Sequence, residues 1–322
     1  MKHLVRTLPL LASLASIGCG DELTAGAVKP EPSASARASS SAPVPPASSA
    51  PKAASDPPVD CGGLECTAYD TVGNAFASVL EDKPLILAIG ETHAQKAGGA
   101  VPSVTKRFTE ELLPALKERA SGLVVEIPYP DAKCSQAKVD KVATEQKEII
   151  KTQSDDNQSE FKKLVVKSKD LGIAADGLKL SCADLDRLDK AGEDKPIEWL
   201  LTITRNMTST AKTFFDENKK KSPEKMILTY GGAIHNDSVP TPGRESWSFA
   251  KDLDALSKNR YIELDLVVPE FVSDAKNWQS MPWYEAIKKG AMCTGDGAKR
   301  KKTIVYKTSA HAYALVFPCT PA

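Results

Sequence analysis

The stretch Leu85-Ile-Leu-Ala-Ile-Gly-Glu-Thr-His93, LILAIGETH, opens with five apolar residues and ends on two ionisable ones. The apolar run has the length of a strand and no alternation, which is the pattern of a strand buried on both faces. Such strands belong to parallel sheets covered by helices on either side. The chain repeats the device at Met226–His235, MILTYGGAIH. In both places a strand-like run passes into a Gly-x-x-His pattern, Gly90-Glu-Thr-His93 and Gly232-Ala-Ile-His235.

Working outward, further strand-length runs lie at Leu123–Ile127, Gly172–Ala175 and Tyr261–Val268. Between them fall helical periodicities. Val101–Arg119 sets Phe108, Leu112, Leu113 and Leu116 on one side, and Pro196–Lys219 does the same with Ile197, Leu200, Leu201 and Phe214. Alternating strands and helices predict an α/β fold with a mostly parallel central sheet and helices on both faces. Val139–Leu171 reads as two helices broken at Ser154–Ser159, a helical insertion or lid. Thr303–Lys307 and Ala312–Phe317 read as a C-terminal antiparallel hairpin added at a sheet edge, with His311 in its turn.

The first 18 residues carry Lys2 and Arg6 ahead of an apolar core at Leu8–Leu14, the layout of a secretory signal. Ser16-Ile-Gly-Cys19 resembles the bacterial lipobox, with serine where leucine is usual. That resemblance implies lipidation at Cys19 and a cell-envelope protein held on the periplasmic side or at the outer membrane by a palmitate-type acyl chain. Residues 19–60 form the tether. Lys29–Pro58 is nearly all Ala, Ser and Pro, with eight prolines, and cannot bury enough apolar surface to offset the cost of ordering. Residues 61–322 then form a single domain.

Composition narrows the function classes. Lys and Arg number 42 and Asp and Glu 42, so no basic field exists for a nucleic-acid partner. Cys61, Cys66, Cys134, Cys182, Cys293 and Cys319 remain after Cys19, an even count that in an exported chain suggests disulfides. Pairing each with its neighbour in sequence gives Cys61–Cys66, Cys134–Cys182 and Cys293–Cys319. Zinc ligation is the rival reading, and no Cys-x-x-Cys spacing supports it.

Ligands of open α/β sheets bind at the carboxyl ends of the strands. That rule selects Glu91, His93, Glu126 and His235 as candidate catalytic residues in a strand-end crevice that takes a small-molecule or peptide ligand. The expected role of Gly90 and Gly232 is a sharp turn that aims the following side chains inward. A carboxylate beside His93 would fix its tautomer and let it activate water, with His235 protonating a leaving group. Alternatively His93, Glu126 and His235 would ligate a divalent metal, Mn, Co or Zn. The bland reading of each residue alone is a helix cap at Thr92, a salt-bridge partner at Glu126 and a turn at His235. No Gly-x-Ser-x-Gly elbow points to a serine triad.

The ordered set Gly90-Glu-Thr-His93, Glu126 and Gly232-Ala-Ile-His235 resembles the superfamily that joins erythromycin esterases, ChaN-like haem-binding lipoproteins and Tiki or TraB-type proteins. The likeness runs over roughly Pro84–Val268 and rests on short motifs. It implies three functions for one crevice: metal-free water activation by a His–Glu pair, metal-dependent proteolysis, or haem binding. His93 would be the base, Glu91 and Glu126 its carboxylates, and His235 the second imidazole. Tyr230, beside the second motif, is the candidate haem contact. A hydrolase of ester or amide bonds leads, and a haem- or metal-binding uptake lipoprotein without turnover is the alternative.

Overall fold

A computed structural model describes residues 59–96, 100–149, 153–293 and 300–321. The expected signal segment, Cys19 and the tether as far as residue 58 lie outside the described residues. Among the described residues eight strands form one sheet: β1 (Glu65–Tyr69), β2 (Ile86–Glu91), β3 (Ala120–Pro130), β4 (Ala174–Leu180), β5 (Met226–Gly232), β6 (Tyr261–Val267), β7 (Thr303–Ser309) and β8 (Ala312–Val316). Their spatial order is β1-β7-β8-β6-β2-β5-β3-β4. The pairings β2 with β5 and β6, β3 with β4 and β5, and β6 with β8 are all parallel. Only β7 runs antiparallel to its neighbours, β1 and β8.

The LILAI run owes its continuous apolarity to alternation across two cores. Leu87 and Ile89 pack with Phe76, Phe108, Leu123, Val125, Phe161 and Leu228 on one face. Ile86 and Ala88 pack with Val124, Trp199, Ile203, Met207, Ile227 and Tyr261 on the other. Burying such side chains contributes roughly 1.5–3 kcal/mol each, so the central strands are held from both faces. The helix Lys195–Lys221 supplies Trp199, Ile203, Met207, Ala211 and Phe215 to the second core.

Two expectations about layout need correction. Helices Gln136–Ile149 and Asn157–Asp170 do not form an insertion on a finished fold. They are the crossover between the parallel strands β3 and β4, and Phe161 and Leu164 are fully in the first core. The C-terminal antiparallel hairpin is present as expected, β7 paired with β8, but β1 and not β7 is the outermost strand. β8 lies against β6 inside the sheet, and β1, unrecognised in the sequence because Glu65-Cys-Thr-Ala-Tyr69 has a largely exposed pattern, closes the edge against β7. His311 is exposed in the turn between β7 and β8. Its carbonyl accepts the Glu263 N–H at 2.9 Å.

The helical stretch 101–119 is shorter and less regular than its periodicity suggests. An α-turn at Val104–Arg107, capped by the Ser103 hydroxyl, gives way to π winding at Phe108–Leu112 and 3-10 winding at Leu113–Leu116. Pro114 carries no N–H and cannot continue an α-helical ladder there. The three disulfides are those paired by sequence proximity: Cys61–Cys66, Cys134–Cys182 and Cys293–Cys319. With these six sulfurs in disulfides, none of them is left for zinc. From Val59 onward the described chain groups as one compact unit. Among the described residues no helix is long and apolar enough to cross a membrane.

Candidate functional site

Sheet register brings the motifs together. β2 and β5 are neighbours with Glu91 opposite Gly232, and β3 flanks β5 with Val125 opposite Tyr230. All four candidate residues therefore meet at the carboxyl ends of three adjacent strands, and all are buried.

Glu91 is held from three directions. One oxygen contacts His93 Nδ1; the other accepts hydrogen bonds from the Thr105 hydroxyl at 2.6 Å and the Tyr230 hydroxyl at 2.5 Å. Fully engaged by donors, this carboxylate orients the His93 ring and leaves Nε2 as its one free atom, buried and without a hydrogen-bond partner. Burial alone lowers the His93 pKa, but the charge and hydrogen bond of Glu91 and the charge of Glu126 outweigh it and hold the imidazole above its ordinary value. Phe161 meets the His93 ring edge-on at 6.1 Å. The helix carrying Phe161 is latched to the segment after His93, because Ser154 N–H and Asn157 Nδ2 both donate to the Ala94 carbonyl, at 2.9 and 3.2 Å.

The second half of the site approaches from the other face of the sheet. Strand alternation puts Glu126 opposite in sense to Leu123 and Val125, and its Oε2 accepts the Gly232 N–H at 2.7 Å. Oε1 has no hydrogen-bond partner and lies 3.9 Å from His235 Nε2, which also has none. His235 Nδ1 lies 2.8 Å from the Trp247 carbonyl and 3.2 Å from the Thr204 hydroxyl. A carbonyl can only accept, so Nδ1 carries the proton and Nε2 is the acceptor facing Glu126.

The motif glycines do something other than turn the chain. Neither Gly90 nor Gly232 has a left-handed backbone, and both are still in strand. What matters is the missing Cβ. A methyl on Gly232 would sit 3.3 Å from His93 Nε2 and 3.8 Å from Glu126 Oε2, and one on Gly231 would overlap the Glu126 carboxylate. The Gly231-Gly232 pair thus opens the floor over which the two halves approach. Nor is Thr92 a helix cap: residues 92–94 are not helical and its hydroxyl has no hydrogen-bond partner.

Two ligand expectations do not fit these residues. Among the described residues no three His, Cys, Asp or Glu side chains are placed, as they stand, to hold one metal ion. Glu91 fixes His93 from one face while Glu126 spends an oxygen on backbone from the other. Tyr230 does not offer itself to haem. Its ring is fully buried, stacked on Phe108 at 5.0 Å, and its hydroxyl is committed to Glu91. Burial and the adjacent Glu91 charge push its pKa well above the ordinary value.

Sequence reading missed Thr105 and Thr204, ordinary helix residues with no distinguishing signal. It also missed Glu263 and Asp265, which do carry one: two acids two residues apart in the apolar strand Tyr261-Ile-Glu-Leu-Asp-Leu-Val267. Both are buried on one side of β6. Comparison with family models, curated proteins and solved structures returned no match.

Proposed function

We propose that this site is a water-activating hydrolase centre acting on an ester or amide bond, in a protein anchored to the cell envelope through a lipid on Cys19. The observation that carries the reading is the set of buried, unpartnered atoms at the carboxyl ends of β2, β3 and β5: His93 Nε2, Glu126 Oε1 and His235 Nε2. Buried polar atoms are nearly always satisfied, and leaving them bare costs about 1–3 kcal/mol each. Three together argue for a job that needs them free.

In the mechanism, His93 Nε2 takes a proton from water while Glu91 steadies the resulting imidazolium. The hydroxide adds to the substrate carbonyl carbon, and the C–O or C–N bond breaks. The leaving group takes the proton that His93 Nε2 removed from water, which restores the neutral imidazole, while Glu126 Oε1 and His235 Nε2 accept hydrogen bonds from the attacking water or the substrate. An imidazole whose pKa lies above the usual value is a stronger base for the first step.

The test is hydrolysis of a panel of alkyl esters, aryl esters and peptide amides by the purified protein. The wild type turns over at least one class, and His93→Ala lowers kcat by about 10²–10⁴, the usual share of a general base. A wild type inert to the whole panel, or His93→Ala with unchanged turnover, overturns the reading. For the anchor, radiolabelled palmitate enters the wild type and is lost in Cys19→Ser.

A further inference from the structure

Behind the second motif lies a network that the proposed chemistry does not use. Asn236, next to His235 and buried, sends its Nδ2 to the Ala88 carbonyl of β2 at 3.2 Å and to Asp265 Oδ1 of β6 at 3.1 Å. Asp265 Oδ2 in turn accepts the Trp283 indole N–H at 2.7 Å. The Asn236 backbone is pinned as well, its carbonyl accepting the Tyr261 hydroxyl at 2.6 Å. One residue of the GAIHN segment is thereby bonded to the strand that carries GETH and to the strand on its far side.

Gly90 makes the room. A methyl there would fall 2.6 Å from Asn236 Oδ1 and closer still to Asp265 Oδ1. The first glycine of one motif is therefore required by the residue after the histidine of the other. His235 sits on a helix of a single turn, Ala233–Asn236, too short to hold its own direction. Its Nδ1 is guided by Trp247 and Thr204 and its carbonyl accepts the Phe249 N–H at 2.9 Å; the Asn236 bonds tie the end of this turn to β2 and β6.

We infer that Asp265 and Asn236 are positioning residues for His235: a clamp from β6 through the Asn236 amide to β2 that registers the second Gly-x-x-His motif against the first. The inference rests on the hydrolytic reading for its kinetic consequence and on geometry alone for its structural one. Asp265→Asn is the direct probe. An amide in place of the carboxylate has one acceptor oxygen for two donors, so it keeps either Trp283 or Asn236 and sets an N–H₂ against the other.

The experiment is the ¹H–¹⁵N spectrum of the full chain labelled at histidine, read beside kcat and KM on whichever ester or amide the wild type cleaves. In Asp265→Asn the His235 ring signals move or broaden, those of His93 and of exposed His311 stay in place, and kcat falls at least tenfold with KM within about twofold. Trp283→Phe, which frees one oxygen of Asp265 and keeps an aromatic ring, gives the same signature at smaller amplitude. It also serves should Asp265→Asn fail to fold. If either folded variant melts lower with His235 signals unmoved, the network is structural ballast and the inference is wrong. If the His235 signals move as described in a protein that hydrolyses nothing, the clamp stands and the hydrolase reading is what has failed.

Discussion

Tyr230→Phe removes one oxygen atom from the site and nothing else. The ring keeps its stacking on Phe108 at 5.0 Å and its edge contact with Phe161 at 6.0 Å, so no cavity is made. What disappears is a hydrogen bond to a buried carboxylate, worth about 1.5–3 kcal/mol, less the desolvation of the hydroxyl that no longer has to be buried. Thr105 still reaches the same oxygen, so Glu91 is weakened and not orphaned. The expected net loss is about 1–2 kcal/mol, which for a domain of this size lowers Tm by roughly 2–8 °C. Because Thr105 and Tyr230 serve one oxygen, Thr105→Val with Tyr230→Phe should cost more than the two singles together, by at least about 0.5 kcal/mol. Urea denaturation of the four proteins measures the cycle. Strict additivity, or a Tyr230→Phe variant as stable as the wild type, would refute the picture of Glu91 as a carboxylate held by shared donors.

Other outcomes follow from the same geometry. Gly232→Ala puts a methyl 3.3 Å from His93 Nε2; turnover in the ester assay should fall at least tenfold while the melting temperature changes little, and equal losses of both would point to general misfolding. Stability should rise as pH is lowered from about 8 to 5.5, and chemical denaturation across that range checks it. The sign is the same for each group involved. The His93 pKa is raised on folding, so its contribution is complete below its unfolded value near 6.5 and is lost as pH climbs through the folded one. Burial pushes Asp265 up to about 7 and Glu263 well above the usual range. Their folded forms bind protons that unfolded carboxylates release near 4, so they too cost stability as pH rises. Among the disulfides, loop closure gives about 4 kcal/mol to Cys134–Cys182, about 3.5 to Cys293–Cys319 and about 2 to Cys61–Cys66, from separations of 48, 26 and 5 residues. Paired serine substitutions should lower the denaturation midpoint in that order.

The parts legible in the chain were those with strong local signals. LILAI and MILTY announce doubly buried parallel strands, and an ionisable residue directly after such a run marks a strand end. Glu126 within LVVEI was visible for the same reason. Glu263 and Asp265 break YIELDLV in the same manner and went unread, because no Gly-x-x-His pattern stood beside them. Other features have no local signature at all. Tyr230 looks like core or ligand until the sheet register puts it against Glu91, and the placement of β8 between β6 and β7 is a long-range pairing that no window of sequence contains. The glycines illustrate the limit best: their presence in both motifs was plain, but their purpose depends on Glu126 for Gly232 and on Asn236 and Asp265 for Gly90, residues 106 to 175 positions away in the chain.

The insertion of β8 between β6 and β7 has a consequence for how the protein is made. β1, at the start of the described chain, has β7 as its strand partner, and β7 reaches the rest of the sheet through β8 alone. Until residues 303–316 have emerged, β6 presents a bare edge and β1 has nothing to pair with. Synthesis from the N-terminus therefore cannot close the sheet early, since non-local pairing waits for its last partner. A truncation at residue 300 would leave the edge of β6 bare and β1 without its partner, and should give an aggregating product.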